Sequence, residues 1–212
     1  MSSLVGIIDY RTGNSRSFSY ALDQIEVPNR LVADPRDCEG ISHLVLPGVG
    51  AADVTMESLR SSGWLPYLDD RVRGEGLPFL GVCVGLQVLF DYSEEAETEC
   101  LGWIPGTVKR FNSEELRVPH MGWNSVKPTE FSRETGQFER LLGDGGYFYF
   151  VNSYYASPEH PENTIGVTSY GISFASVVGS GNVLATQFHA EKSGQVGLAI
   201  LRRFTDMGRE DF

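Results

Sequence analysis

The 212-residue chain predicts an α/β fold: an open, mostly parallel sheet flanked by helices, with a nucleophile elbow and a smaller antiparallel part. Three observations carry this. Up to Tyr92, apolar runs of strand length alternate with helix-period stretches. Beyond Tyr92 the strand-like pieces are short and punctuated by Gly and Pro. Between these regimes lies Gly81-Val82-Cys83-Val84-Gly85, placed where a strand feeds a helix.

The elements follow in order. Residues 4–9 read as a first buried strand. Thr12-Gly13-Asn14 is a turn, and Asn14 or Ser15 caps a helix over 17–25. Residues 30–32 and 43–46 are strands, the second stopped by Pro47-Gly48-Val49-Gly50. Asp53 caps a helix over 54–60, and 64–73 is helical. The strand at 77–82 carries Cys83 and continues into a helix over 84–91. Residues 108–111, Val118 and Val126 mark antiparallel pieces, and 147–151 is an aromatic strand. Strands at 164–169, 172–178 and 183–188 are separated by turns at Gly171 and Gly179-Ser180-Gly181. An amphipathic helix over 194–207 closes the chain. With no repeat or linker, residues 1–212 read as one domain.

The net charge of −11 argues against binding a nucleic-acid backbone, which needs a basic patch. The cluster Glu94, Glu95, Glu97, Glu99 reads as a solvated loop or helix end. No apolar stretch approaches membrane-spanning length, and the N-terminus lacks a basic signal-peptide start. A cytoplasmic protein without a membrane partner is expected. The three cysteines, Cys38, Cys83 and Cys100, contain no CxxC, which argues against a disulfide framework or a zinc site. No metal or cofactor is expected, and Cys38 and Cys100 carry no assigned role.

The chemistry centres on Cys83. Gly81 and Gly85 allow a tight turn that leaves the thiol exposed at the C-terminal end of its strand and at a helix N-terminus. The last strand ends Gln187-Phe188-His189-Ala190-Glu191-Lys192-Ser193. A turn after Phe188 lets Glu191 accept from His189 Nδ1, so that Nε2 faces Cys83 as general base. His43 begins a buried strand, His160 sits in a Pro-rich loop, and His120 follows Pro119 in a loop as the rival base. An oxyanion needs donors. The Val84 N–H is one candidate, and the backbone of Gly48, Val49 and Gly50 supplies the second.

These motifs, with Pro119-His120-Met121-Gly122-Trp123-Asn124 and Asp9-Tyr10…Gly13-Asn14, resemble the class I glutamine amidotransferases, and within them the glutaminase subunits of imidazole glycerol phosphate synthases. The resemblance runs from Ile7 to Phe204. It implies a Cys83–His189–Glu191 triad that hydrolyses L-glutamine to glutamate and ammonia. It implies substrate contacts from Gln87 and from the backbone near Ser153 and Tyr154. It implies a heterodimer with a (β/α)8-barrel cyclase that receives the ammonia, with Asn14, Trp123, Tyr149 and Lys192 near the docking face. It also implies that the Pro47–Gly50 peptide turns an N–H inward when the partner is liganded.

Three positions depart from that pattern. Arg11-Thr12 stands where Gly is common, Ala190 where Pro is usual, and Asn152 where His is common. Ala190 lacks proline's fixed φ, which predicts a looser turn before Glu191. Arg11 lies near the expected partner face and leaves open a paralogue feeding a sugar amidotransferase of surface-polysaccharide synthesis.

Overall fold

The computed structural model describes all residues except 1–2, 11–13, 113 and 115. The turn expected at Thr12-Gly13 and the Arg11-Thr12 departure lie outside the described residues.

The strands, in chain order, begin with β1 (Val5–Ile8), β2 (Asn29–Val32), β3 (His43–Gly48) and β4 (Phe79–Cys83). Short strands β5 (Tyr92–Ser93), β6 (Thr98–Glu99) and β7 (Gly106–Arg110) follow. Then come β8 (His120–Pro128), β9 (Gly146–Asn152), β10 (Tyr154–Pro158), β11 (Thr164–Tyr170), β12 (Ile172–Ser180) and β13 (Val183–Thr186). The helices are α1 (Ser15–Gln24), α2 (Ala52–Ser61), α3 (Trp64–Leu68), α4 (Val84–Gln87), α5 (Glu130–Glu134), α6 (Gln137–Leu142) and α7 (Gly194–Asp206).

The sheet runs β2-β1-β3-β4-β13-β12-β10-β7-β5-β6, with β11 joining β12 to β8 and β8 pairing β9. The pairs β1–β2, β1–β3, β3–β4 and β4–β13 are parallel. From β12 onward antiparallel pairing dominates, with β5–β7 the parallel exception. Every residue of β1, β3, β4 and β13 is buried. This is why these strands are continuous apolar runs: a parallel sheet covered on both faces has no solvent side on which to alternate. Helix α7 packs on α1 and α6, while α2 packs on α3 and α4.

This order puts the C-terminal ends of β3, β4 and β13 side by side. Gly48 lies in register with Cys83, and Thr186 with Val82. The Gly48–Gly50 strip, Cys83 and the segment leading to His189 therefore emerge at one edge. That edge is where ligands bind in open α/β sheets.

Several local expectations are corrected. The helix expected over 84–91 ends at Gln87. The carbonyls of Val88, Leu89 and Phe90 instead accept from the N–H groups of Leu101, Trp103, Ile104 and Gly102. A returning segment thus takes the acceptors that a longer helix needs. Asp53 is not the cap of its helix, because Ala51 is the N-cap residue and the Ala52 N–H donates to Glu95 Oε2 at 2.8 Å. Glu95 is therefore half-buried structure rather than a solvated charge. The segment expected as one helix over 64–73 is α3 followed by a π-helical turn, Asp69–Gly74. His120 is not in a loop: it opens β8 and is 4% exposed.

Candidate active site

The site starts with a strained backbone. Cys83 has φ +57° and ψ −107°, a conformation that costs a non-glycine residue about 1–3 kcal/mol and persists only where its surroundings enforce it. The enforcement comes from close approach. A Cβ on Gly85 would lie 2.0 Å from the Leu46 carbonyl oxygen, and one on Gly81 would lie 2.4 Å from the Gly85 oxygen. The two glycines let β4, α4 and β3 approach closely enough to hold the turn. The Val84 N–H then opens α4 beside the sulfur, where no acceptor lies one turn back in the helix.

His189 follows β13, and its N–H donates to the Tyr149 carbonyl at 2.9 Å. The chain then makes a 3-10 turn, Ala190–Lys192. The looseness expected from Ala190 is offset by bracing. Ser193 Oγ donates to the His189 carbonyl at 2.6 Å and accepts from the Tyr149 N–H at 2.9 Å. The turn brings Glu191 back, and His189 Nδ1 lies 2.8 Å from Glu191 Oε1. The side chains are 2% and 0% exposed. With Nδ1 engaged, Nε2 is left for Cys83, whose proximity helps raise the basicity of the ring.

Burial alone would push the His189 imidazole below its ordinary value. The hydrogen bonds and charges of Cys83 and Glu191 overcome that and raise it to about 10. The arrangement favours the protonated imidazole.

A cavity of about 300 Å³ opens over the pair. Among the residues expected at the site, Val49, Gly50, Cys83, Val84, Gln87 and His189 line it. Ser153, Tyr154, Tyr149 and Lys192 line it as well. Gly48 is one step back, where its missing side chain admits Val84: a Cβ there would lie 2.7 Å from Val84 Cβ. The strip is also braced from below. Tyr10 donates its hydroxyl to the Pro47 carbonyl at 2.9 Å, and burial pushes that phenol up to about 12.

Two expected residues stand elsewhere. Trp123 is 56% exposed on β8 and packs edge-on against Tyr149 of β9, its cross-strand partner. Asn14 occupies the N-cap position of α1 without capping it. Its Nδ2 instead donates to Glu191 Oε1 at 2.5 Å, which ties the start of α1 to the His189–Glu191 pair.

Two contributors were missed from sequence. Glu95 lines the cavity while capping α2. Its carboxyl is raised by burial and by Asp53, against the Ala52 hydrogen bond. Gln187 places Nε2 3.8 Å from Cys83 Sγ. Its position next to the strand end was a signal, but its contact was not. His120, the rival base, is stacked between Phe150 and Tyr170, at ring separations of 4.9 and 4.1 Å. Burial lowers its basicity, opposed by the neighbouring Asn152 amide, and it does not line the cavity.

Comparison with known proteins agrees with this geometry. Residues 7–207 match the family described as glutamine amidotransferase class-I. The chain is 41% identical over 209 residues to the imidazole glycerol phosphate synthase subunit HisH of Nitratidesulfovibrio vulgaris, covering 95% of each chain. It is 39% identical over 217 residues to the HisH subunit of Geobacillus thermodenitrificans, covering 99% of each. Among solved structures, a glutamine amidotransferase crystal structure superposes with a TM-score of 0.72 at 21% identity, over 94% of this chain and 96% of that one. The chain therefore belongs to the class-I glutamine amidotransferase family and, within it, to the HisH subunits of imidazole glycerol phosphate synthase.

Proposed function

We propose that this chain hydrolyses L-glutamine to glutamate and ammonia through Cys83, His189 and Glu191, as the glutaminase subunit of an imidazole glycerol phosphate synthase in histidine biosynthesis. The observation that carries the reading is the meeting of a strained cysteine with a buried His–Glu pair under one cavity.

The steps follow from the geometry. The Cys83 proton resides on His189 Nε2 when the sulfur attacks the carboxamide carbon. The C=O electrons move to oxygen, where the Val84 N–H and an N–H of the Gly48–Gly50 strip stabilise the charge. Collapse breaks the C–N bond, and the Nε2 proton passes to the leaving nitrogen as ammonia departs. A water then gives a proton to Nε2 and attacks the thioester. The sulfur leaves with its electron pair, and glutamate is released. Glu191 holds the imidazole in the correct tautomer throughout. Gln87 and the backbone at Ser153 and Tyr154 hold the substrate. Glu95, an acidic side chain lining the cavity, suits the substrate's ammonium group.

Ammonia becomes useful when it reaches its acceptor unprotonated. The partner in this reading is a (β/α)8-barrel cyclase that docks over the cavity, converting its ribotide acceptor to imidazole glycerol phosphate and aminoimidazole carboxamide ribotide. Exposed Met121 and Trp123, with Tyr149 and Lys192 at the cavity, suit that contact. Aromatic residues and Met are enriched at such interfaces.

The test measures glutamate release from this chain alone, with a cyclase subunit, and with cyclase plus an acceptor analogue. Strong stimulation by both components is expected. Cys83→Ala should abolish release. Undiminished release by Cys83→Ala would end the nucleophile assignment, and turnover indifferent to the cyclase would end the partner assignment.

A further inference from the structure

Two buried glutamine side chains, 3% and 0% exposed, connect the substrate wall of the cavity to the sulfur. Gln87 Nε2 lies 3.3 Å from the Tyr154 carbonyl oxygen and 3.2 Å from Gln187 Oε1. Gln187 Nε2 lies 3.8 Å from Cys83 Sγ.

The polarity of this chain is fixed from one end. A backbone carbonyl only accepts, so Gln87 must present its NH2 to Tyr154. That NH2 also faces Gln187, which must answer with its oxygen. The remaining end of the Gln187 amide is its NH2, and it faces the sulfur. Reversing Gln187 alone would oppose two donors at 3.2 Å and set an oxygen against Sγ. In a buried site each such mismatch costs about 1–3 kcal/mol.

The sulfur has a second neighbour of opposite preference. Its thiol donates to the Val151 carbonyl at 3.9 Å. That acceptor favours the S–H form and repels the anion. A donor on the other side is what the ionised sulfur needs.

We propose that Gln187 is a further catalytic residue, whose amide, oriented by Gln87 and the Tyr154 carbonyl, donates a hydrogen bond to Cys83 Sγ and stabilises its anionic form against the Val151 carbonyl. The proposal rests on the reading that Cys83 is the nucleophile. It makes the substrate-facing Gln87 a positioning residue for the sulfur as well.

The decisive variant is Gln187→Glu, which retains an oxygen for Gln87 and removes the donor to sulfur. The measurement is the pH dependence of Cys83 alkylation by iodoacetamide in the full chain. It is read on the Cys83 peptide by mass spectrometry, so that Cys38 and Cys100 do not contribute. The alkylation midpoint should rise by about one pH unit, with roughly tenfold slower alkylation at pH 7. In the complex with the cyclase, kcat should fall while KM for glutamine holds. Gln187→Met, which has no donor and only a weak thioether acceptor, should shift the midpoint in the same direction and decides the matter if the Glu variant does not fold. An unmoved midpoint in a folded variant overturns the role of Gln187. If Cys83→Ala still abolishes turnover in that case, the glutaminase reading stands without it. If Cys83→Ala retains turnover, the glutaminase reading fails first.

Discussion

The parallel side of the sheet and the β8–β9 ribbon solve opposite problems. In β1, β3, β4 and β13 every residue is buried, and the chain passes so close to itself at Gly81 and Gly85 that one added carbon would collide with backbone oxygen. In the ribbon, Met121 and Trp123 on β8 and Tyr147 on β9 are each more than half exposed. The first region stores strain at Cys83 and needs rigidity to keep it. The second leaves apolar area in water that a partner would remove. The lesson is that rigidity and exposure are separated: packing fixes the strained Cys83, and the exposed ribbon is free to be covered. Tyr149 joins them, since it packs against Trp123 while its backbone bonds to His189 and Ser193.

The largest effect that would break this contrast is Gly85→Ala. The Leu46 oxygen cannot retreat without disturbing β3, so we expect a loss of about 3 kcal/mol or more. For a chain of this size that is a fall in Tm of about 10 °C, read by thermal melting. A normal Tm would show that the elbow is not held by close packing. Next is Trp123→Ala, which should leave Tm nearly unchanged, as surface substitutions do, but weaken cyclase binding by about 2 kcal/mol, roughly thirtyfold in Kd. Calorimetric titration showing undiminished affinity would remove the ribbon from the interface.

Asn14→Ala tests a link between the two regions. It removes a donor from the buried Glu191 carboxylate, worth about 1.5 kcal/mol. The expected result is about tenfold lower kcat with KM unchanged. If cyclase binding falls instead and kcat holds, Asn14 belongs to the docking face alone.

The smallest effect lies on the pH axis. His189 is raised from an ordinary 6.5 to about 10. Stability from its bound proton is complete below about 6.5 and is lost as pH rises through about 10. Turnover should decline on the same alkaline limb, because the leaving nitrogen needs the Nε2 proton. Cys83→Ala removes one cause of the raised value, so an NMR titration of the His189 ring should move toward neutral pH. A midpoint that stays near 10 would assign the whole rise to Glu191.

Much of the site was legible in the sequence because its requirements are local. Gly81 and Gly85 flank Cys83 at fixed offsets, and His189 and Glu191 are two residues apart, so a single turn completes their contact. The parallel strands were legible for a related reason: burial on both faces leaves only apolar residues. The short helix after Cys83 was misread because its length is set by residues 101–104, which reach the same carbonyls from a returning segment. Glu95 was read as solvated because a run of glutamates resembles a surface loop, yet one of them turns inward to an N–H of α2.

Sequence alone pointed to Cys83, His189 and Glu191 as one constellation and to the strands that carry them. Each follows from backbone sterics or hydrophobic patterning within a few residues. Only the tertiary structure decided that Asn14 serves Glu191, that His120 is sealed among aromatic rings, and that the Gln187 amide presents its donor to the sulfur. Those assignments depend on which distant acceptor lies within about 3 Å, or 4 Å where sulfur accepts. Such a distance is set by how strands and helices pack, and no pattern of neighbouring residues encodes it.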